Sequence, residues 1–198
     1  MTKSIRSIGF IGLGDMGGAQ VRELAKLALP LTVYDVSPKA MERWAGRATL
    51  AADVAAVGAA ADAIGICVQD DAQVTTCIDQ LLPALSPGTV VMIHSTVRPA
   101  TVTGLASRGE RQGVVVIDAP VTRTEMVDDG PFVYCMVGGD EAVLDHVRPI
   151  LAAFSTNIMH VGPLGSAMAL KICNNLVTWG EIMLALEAVD LAEAAGVP

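Results

Sequence analysis

Short runs of β-branched and apolar residues recur along this chain with longer stretches of helical periodicity between them. That alternation limits the fold more than any other feature, because a strand, a crossover helix and a second strand return to one sheet in parallel. Strands are predicted at Ser7–Leu13, Leu31–Tyr34, Ala63–Val68, Val90–His94, Val114–Ala119, Phe132–Val137 and Asn157–His160. Helices are predicted at Met16–Leu27, Pro38–Gly46, Ala51–Gly58, Ala72–Leu82, Pro99–Glu110 and Glu141–Ala153. No fixed-period repeat or low-complexity tether interrupts this pattern, so it reads as one α/β domain closing near Pro163.

The first strand runs directly into Gly12-Leu13-Gly14-Asp15-Met16-Gly17, and a helical pattern follows through Val21, Leu24 and Ala25. In that setting Gly12 permits a tight turn, Gly14 lets the backbone approach a pyrophosphate, and Gly17 allows helix and strand to pack closely. The helix N-terminus presents free N–H groups and a positive dipole end to phosphates. Asp35 closes the second strand, 23 residues beyond Gly12. A carboxylate there accepts from an adenosine ribose and repels a 2′-phosphate, so the cofactor expected is NAD rather than NADP. The fold class expected is therefore α/β, a Rossmann-type doubly wound, mostly parallel sheet.

Residues 166–195 read as a single helix interrupted only by Gly180. Met168, Leu170, Ile172, Leu176, Val177, Trp179, Ile182, Met183, Leu184, Leu186, Val189 and Leu191 cover nearly its whole circumference, and a helix apolar all round is expected to be buried all round. Either it is a central helix of the same domain, or it needs a second chain or a further segment to cover it. The division expected is 1–163 for the nucleotide-binding domain and 164–198 for the start of a second, all-helical one whose remainder is absent.

Composition narrows the partners. The chain has 198 residues, 52% hydrophobic and 17% charged, with a formal charge of −8. That acidity argues against a nucleic-acid partner. No apolar run reaches the ~18 residues that cross a membrane, and MTKSIRSIGF lacks the pattern of a signal peptide. Cys67, Cys77, Cys135 and Cys173 show no CxxC pairing and read as reduced, mostly buried thiols of a cytoplasmic protein. His94, His146 and His160 stand without other ligand types at metal spacing, so no metal is expected. Asp70 and Asp71 read as the start of a helix, and Trp44 and Trp179 as packing residues.

Four stretches in order resemble the β-hydroxyacid dehydrogenase family, of the 3-hydroxyisobutyrate dehydrogenase type and related to 6-phosphogluconate dehydrogenase. They are Gly-Leu-Gly-Asp-Met-Gly at 12–17, Ser95-Thr96-Val97-Arg98-Pro99, Asp118-Ala119-Pro120-Val121, and the run from Gly165 through Lys171 to Asn174-Asn175. The resemblance implies that Thr96 lies beside the nicotinamide and that Val68 and Gln69 lie next to the cofactor. It makes Lys171 the general acid/base on the substrate hydroxyl, has Asn175 hold the substrate, and adds a helical second domain with much of a dimer interface. Spacing agrees with the last pair, since residues i and i+4 share a helix face. Desolvation in an apolar stretch would lower the pKa of Lys171 enough for proton exchange near neutrality.

Departures from the family pattern bear on substrate. Where the family continues Val-Ser-Gly-Gly, this chain has Val121-Thr122-Arg123-Thr124: Thr122 keeps the hydroxyl, while Arg123 and Thr124 take the place of two glycines. Arg123 is suited to a bidentate grip on a carboxylate, or as a surface residue to pairing with Glu125, Asp128 or Asp129. Ala167 stands where the family has the second Gly before the lysine, and Gln69 where many members have Pro. The function expected is NAD-dependent oxidation of a small 3-hydroxy acid by a homo-oligomer, or by a chain whose residues 166–198 another chain covers. The competing readings are an NAD-binding module that lacks turnover, and an NADPH-linked reductase of small aldehydes or imines.

Overall fold

The computed structural model describes residues 2–123 and 130–197. Its strands are β1 (Ile8–Ile11), β2 (Leu31–Tyr34), β3 (Thr49–Leu50), β4 (Ala63–Ile66), β5 (Val90–Ile93), β6 (Val115–Asp118), β7 (Val121–Arg123), β8 (Val133–Gly138) and β9 (Ser155–Gly162). Its α-helices are α1 (Asp15–Leu24), α2 (Pro38–Glu42), α3 (Val54–Ala60), α4 (Asp71–Leu81), α5 (Pro99–Glu110), α6 (Glu141–Leu151) and α7 (Ser166–Ala194).

The strands lie in the order β3-β2-β1-β4-β5-β6-β8-β7, with β9 paired to β8. Strands β3 through β6 are mutually parallel, β8 is antiparallel to β6 and β7, and β9 is parallel to β8. This is the doubly wound, mostly parallel sheet expected. The central strands are buried on both faces: Ile8, Phe10, Val90 and Met92 join a core with Val21, Leu24, Leu144 and Val147 of α1 and α6. Ile11, Ile64, Ile66, Val91 and Ile93 face the other way, onto Val57, Val74, Ile78, Val102 and Leu105 of α3, α4 and α5. Side chains of successive strand residues point to opposite faces, so near-continuous apolar runs are what a sheet covered on both sides requires.

Several boundaries differ from the sequence reading. Strands β3 and β7 were not expected; β3 has two exposed residues, and among the described residues β7 pairs with no strand but β8. Helix α2 stops at Glu42 rather than near Gly46, and α3 starts at Val54, where the Asp53 carboxylate accepts from the Ala56 N–H at 2.7 Å. Asp70 caps α4 in the same way, through the Gln73 N–H at 2.8 Å. The long helix is a single element of 29 residues, but only Ala167, Met168 and Lys171 of it are buried. Beyond them Leu176 is 75% exposed and Trp179 62%, because among the described residues no element packs on that stretch. The expectations of all-round burial and of a packing role for Trp179 therefore fail within this chain, whereas Trp44 is buried in the core.

His94, at the end of β5, is enclosed between Phe10, stacked at 5.8 Å, and Phe154, edge-on at 5.6 Å. Its Nδ1 lies 2.8 Å from the Ala119 carbonyl, which only accepts, so Nδ1 carries the proton and Nε2 stays bare. Burial pushes its pKa down from 6.5 to about 4. The unfolded chain thus binds this proton from about pH 6.5 downward and the folded chain only near pH 4. Stability conferred by neutral His94 is complete above pH 6.5 and is lost as the pH falls toward 4, a total on the order of 3 kcal/mol. Urea unfolding between pH 7 and 4.5 should show this loss, and His94→Asn should flatten the slope; an unchanged slope would remove His94 as its source.

Candidate functional site

In a parallel sheet the C-terminal ends of the strands share one edge, and ligands of open α/β folds bind there. Here that edge carries Gly12–Gly17 after β1, Asp35 after β2, Cys67 to Gln69 after β4, Ser95 and Thr96 after β5, and Asp118 at the end of β6.

The glycine loop is built by exclusion. Gly12 has φ +94°, and a Cβ there would lie 2.7 Å from the Cys67 carbonyl carbon. A Cβ on Gly17 would collide with the Gly12 carbonyl oxygen and come within 3.2 Å of Phe10 Cε1. Gly14 differs: its Cβ would meet nothing within 4 Å, so nothing in the chain's own packing forbids a side chain there. Gly14 is also the N-cap of α1 and supplies no capping side chain, so the N–H groups of the first turn face the space above it. Unfilled space over a helix N-terminus is what a pyrophosphate needs.

Asp35 holds this loop in place. One carboxylate oxygen accepts from the Leu13 N–H at 2.6 Å and the other from the Ser37 N–H at 2.8 Å. Each oxygen has a further lone pair for a ribose hydroxyl. The Leu13 side chain is fully buried, so only its backbone faces the loop, and the Arg43 guanidinium donates to its carbonyl at 3.0 Å. Arg43 was not singled out from sequence; its tie to residue 13 is made only by the fold. Asp15 is exposed and Met16 half-buried.

On the next strands, the Val68 N–H donates to the Ser95 hydroxyl at 2.7 Å, joining the loops after β4 and β5. The Gln69 N–H donates to Gln73 Oε1 at 3.2 Å. Thr96 is exposed beside buried Ser95. The segment after Thr96 is pinned by Asp71, which accepts from Arg98 through N and Nε and from the Thr101 hydroxyl.

Strand β7 brings Arg123 to the glycine loop. Thr122 is half-buried, and Arg123 Nη2 lies 3.4 Å from Met16 Sδ, with its guanidinium carbon 5.8 Å from the centre of the Phe132 ring. Thr124, Glu125, Asp128 and Asp129 lie outside the described residues. Lys171 sits in the second turn of α7 and is 8% exposed, and burial pushes its pKa below the ordinary lysine value. Asn175, one turn on, is half-buried. The α7 N-terminus is seated at the same sheet edge, since Asp118 accepts from the Gly165 and Met168 N–H groups, each at 2.9 Å.

The histidines are engaged with backbone: His146 Nε2 lies 2.8 Å from the Lys3 carbonyl and His160 Nε2 2.8 Å from that of Gly139, besides His94 on Ala119. All four cysteines are free; Cys77 and Cys135 are buried, Cys67 half-buried and Cys173 exposed. No helix among the described residues is long and apolar enough to cross a membrane.

The fold and the glycine cradle define a dinucleotide-binding domain of the kind that serves oxidoreductases. The profile of the NAD binding domain of 6-phosphogluconate dehydrogenase matches residues 7–162, and the chain belongs to that family. It is 36% identical over 193 residues to an uncharacterized oxidoreductase of Mycobacterium tuberculosis, covering 96% of this chain and 65% of that protein. It is 31% identical over 192 residues to human mitochondrial 3-hydroxyisobutyrate dehydrogenase, covering 94% and 55%. Among solved structures, M. tuberculosis 3-hydroxyisobutyrate dehydrogenase with L-serine superposes at a TM-score of 0.86 with 28% identity, over all of this chain and 67% of that one. The Salmonella typhimurium 3-hydroxyisobutyrate dehydrogenase superposes at 0.88, also with 28% identity, over 97% and 69%. An imine reductase of Myxococcus stipitatus, at 22% identity and a TM-score of 0.88, shares the fold. The chain thus spans less than two thirds of the length of these two curated relatives.

Proposed function

We propose that this chain provides the cofactor-binding and proton-transfer portion of an NAD-dependent dehydrogenase that oxidises the hydroxyl of a small 3-hydroxy acid. The observation that carries this reading is Lys171, desolvated at the sheet edge that also bears the glycine loop, with Asn175 one turn away on its own helix face. NAD, when bound, accepts the hydride from the carbinol carbon.

The residues divide the remaining work. Gly12 to Gly17 hold the pyrophosphate against α1, Asp35 takes the adenosine ribose, and Val68, Gln69 and Thr96 border the nicotinamide end. Lys171, its pKa lowered by burial, takes the hydroxyl proton as the hydride departs and returns it in the reverse direction. Thr122, Arg123, Thr124 and Asn175 orient the acid. Asp35 favours NAD over NADP, because a 2′-phosphate would face a carboxylate whose two oxygens already order the loop. Residues 1–163 act as the nucleotide domain, and 164–198 join a helical unit whose apolar surface a second copy or a further segment covers. The setting proposed is the cytoplasm.

The test is NAD reduction by the whole enzyme, with whatever segment or second copy covers residues 166–198 present, across a panel of hydroxy acids including L-serine, 3-hydroxyisobutyrate and hydroxy diacids, with wild type and Arg123→Ala side by side. Turnover with at least one 3-hydroxy acid is expected. Loss of the guanidinium should reduce kcat/KM for the preferred acid by about 10- to 100-fold and flatten the ranking among acids. An unchanged ranking removes Arg123 from substrate selection, and no NAD-linked turnover with any member overturns the reading.

A further inference from the structure

Asp118 is completely buried, alone among the acids of the described residues. Glu23, the next most buried, has Arg22 and Lys26 on its carboxylate. Asp118 instead receives two backbone N–H groups from 47 and 50 residues further along, Gly165 on Oδ1 and Met168 on Oδ2. Those amides belong to the N-cap and first turn of α7, and Gly165, with φ +90°, has no side chain with which to cap its own helix. A carboxylate from the neighbouring strand therefore occupies the positive end of a 29-residue helix and satisfies donors that the helix cannot satisfy itself.

The space around the carboxylate is kept for it. Gly138 pairs opposite Asp118 where β6 meets β8, and a Cβ on Gly138 would lie 2.9 Å from both Cγ and Oδ2 of Asp118. Met168, whose amide is held, precedes Lys171 by three residues, less than one helical turn.

We propose that Asp118 is a positioning residue: by clamping both amides at the start of α7 onto the end of β6, it fixes where Lys171 stands relative to the cofactor edge of the sheet. This rests on the proton-transfer role given to Lys171 above. The clamp acts through the helix backbone, so its effect falls on turnover and on the surroundings of Lys171 and leaves NAD binding by the β1–α1 loop alone.

The experiment uses the full polypeptide as wild type, Asp118→Asn, Gly138→Ala and Lys171→Met. Three quantities are measured: hydrogen exchange of the Gly165 and Met168 amides, NAD affinity, and turnover per NAD-binding site. In Asp118→Asn both amides should exchange at least about tenfold faster, with NAD affinity within about twofold and turnover down about 30- to 100-fold. Gly138→Ala keeps the charge and crowds the carboxylate. It should reproduce these changes and raise the pH midpoint for acetic anhydride labelling of Lys171 toward the ordinary lysine value, as water reaches the amine. If the amides exchange as in wild type in every variant that folds, the clamp is disproved. If exchange rises while turnover and the labelling midpoint in Gly138→Ala stay unchanged, Asp118 caps the helix without positioning Lys171, and the proposal falls. Should Asp118→Asn not fold, Gly138→Ala decides by the same criteria. A Lys171→Met protein with wild-type turnover defeats the proton-transfer reading instead, while exchange and labelling still decide whether Asp118 governs the position of residue 171.

Discussion

Lys171→Met is expected to lower turnover of the preferred hydroxy acid by about 10²- to 10⁴-fold, the range for loss of a positioned acid/base, while leaving NAD affinity within about twofold. Methionine is a fair replacement in volume, so the second turn of α7 should keep its packing against the sheet. The ammonium that it removes is desolvated, and among the described residues it makes no hydrogen bond or ion pair; folding stability should accordingly hold or rise. A second signature separates lost chemistry from displaced substrate. In wild type kcat/KM for oxidation should fall on the acid side, where the amine is protonated, with a midpoint below that of an ordinary lysine. Residual activity in the methionine protein should lack that limb. A variant retaining more than about a tenth of the rate, with the limb intact, would place the proton acceptor elsewhere.

The next largest effect is expected from a pair of glycines three residues apart. Gly14→Ala should bind NAD about 100-fold more weakly, a loss of about 2.7 kcal/mol, with unfolding changed by no more than about 1 kcal/mol. Gly14 has φ −65°, ordinary for an L-residue, and its added methyl meets nothing of the protein, so the methyl is felt only by whatever lies over the helix end. Gly17→Ala drives its methyl into the Gly12 carbonyl and against Phe10, and the loop or helix must move. That variant should lose about 1–3 kcal/mol or more of stability together with its NAD binding. Titration calorimetry with urea unfolding on the two proteins makes the comparison. If Gly14→Ala binds as wild type, no pyrophosphate lies over Gly14.

How much of this was readable beforehand depends on whether the information is local. The runs at Ile8–Ile11, Ala63–Ile66 and Val90–Ile93 are apolar because both sheet faces are covered, and they show as strands in the sequence itself. Gly12, Gly14 and Gly17 announce their loop because strand, turn and helix adjoin. Thr49–Leu50 shows no pattern, since both residues are exposed, and Val121–Arg123 is a strand only by virtue of Tyr134 and its neighbours across the ladder. Arg43 on the Leu13 carbonyl, Asp118 on α7 and Arg123 against Met16 join residues 30 to 107 positions apart, which no spacing rule registers. The apolar circumference of 166–195 was plain to see, but periodicity says only that cover is needed and not which element supplies it.

That helix also has a mechanical side. From the clamped amide of Met168 to Ala194 it runs about 39 Å, whereas Lys171 lies only about 4.5 Å from the same pivot. It is a lever of roughly nine to one, so a swing of about 4 Å at the far end displaces the lysine by about 0.5 Å, which is near the positional tolerance that the proposed acid/base role would demand. Under the proton-transfer role proposed for Lys171, a contact on the distal turns would be geared down onto the amine: large, loose motions far from the sheet would become fine adjustments beside the substrate.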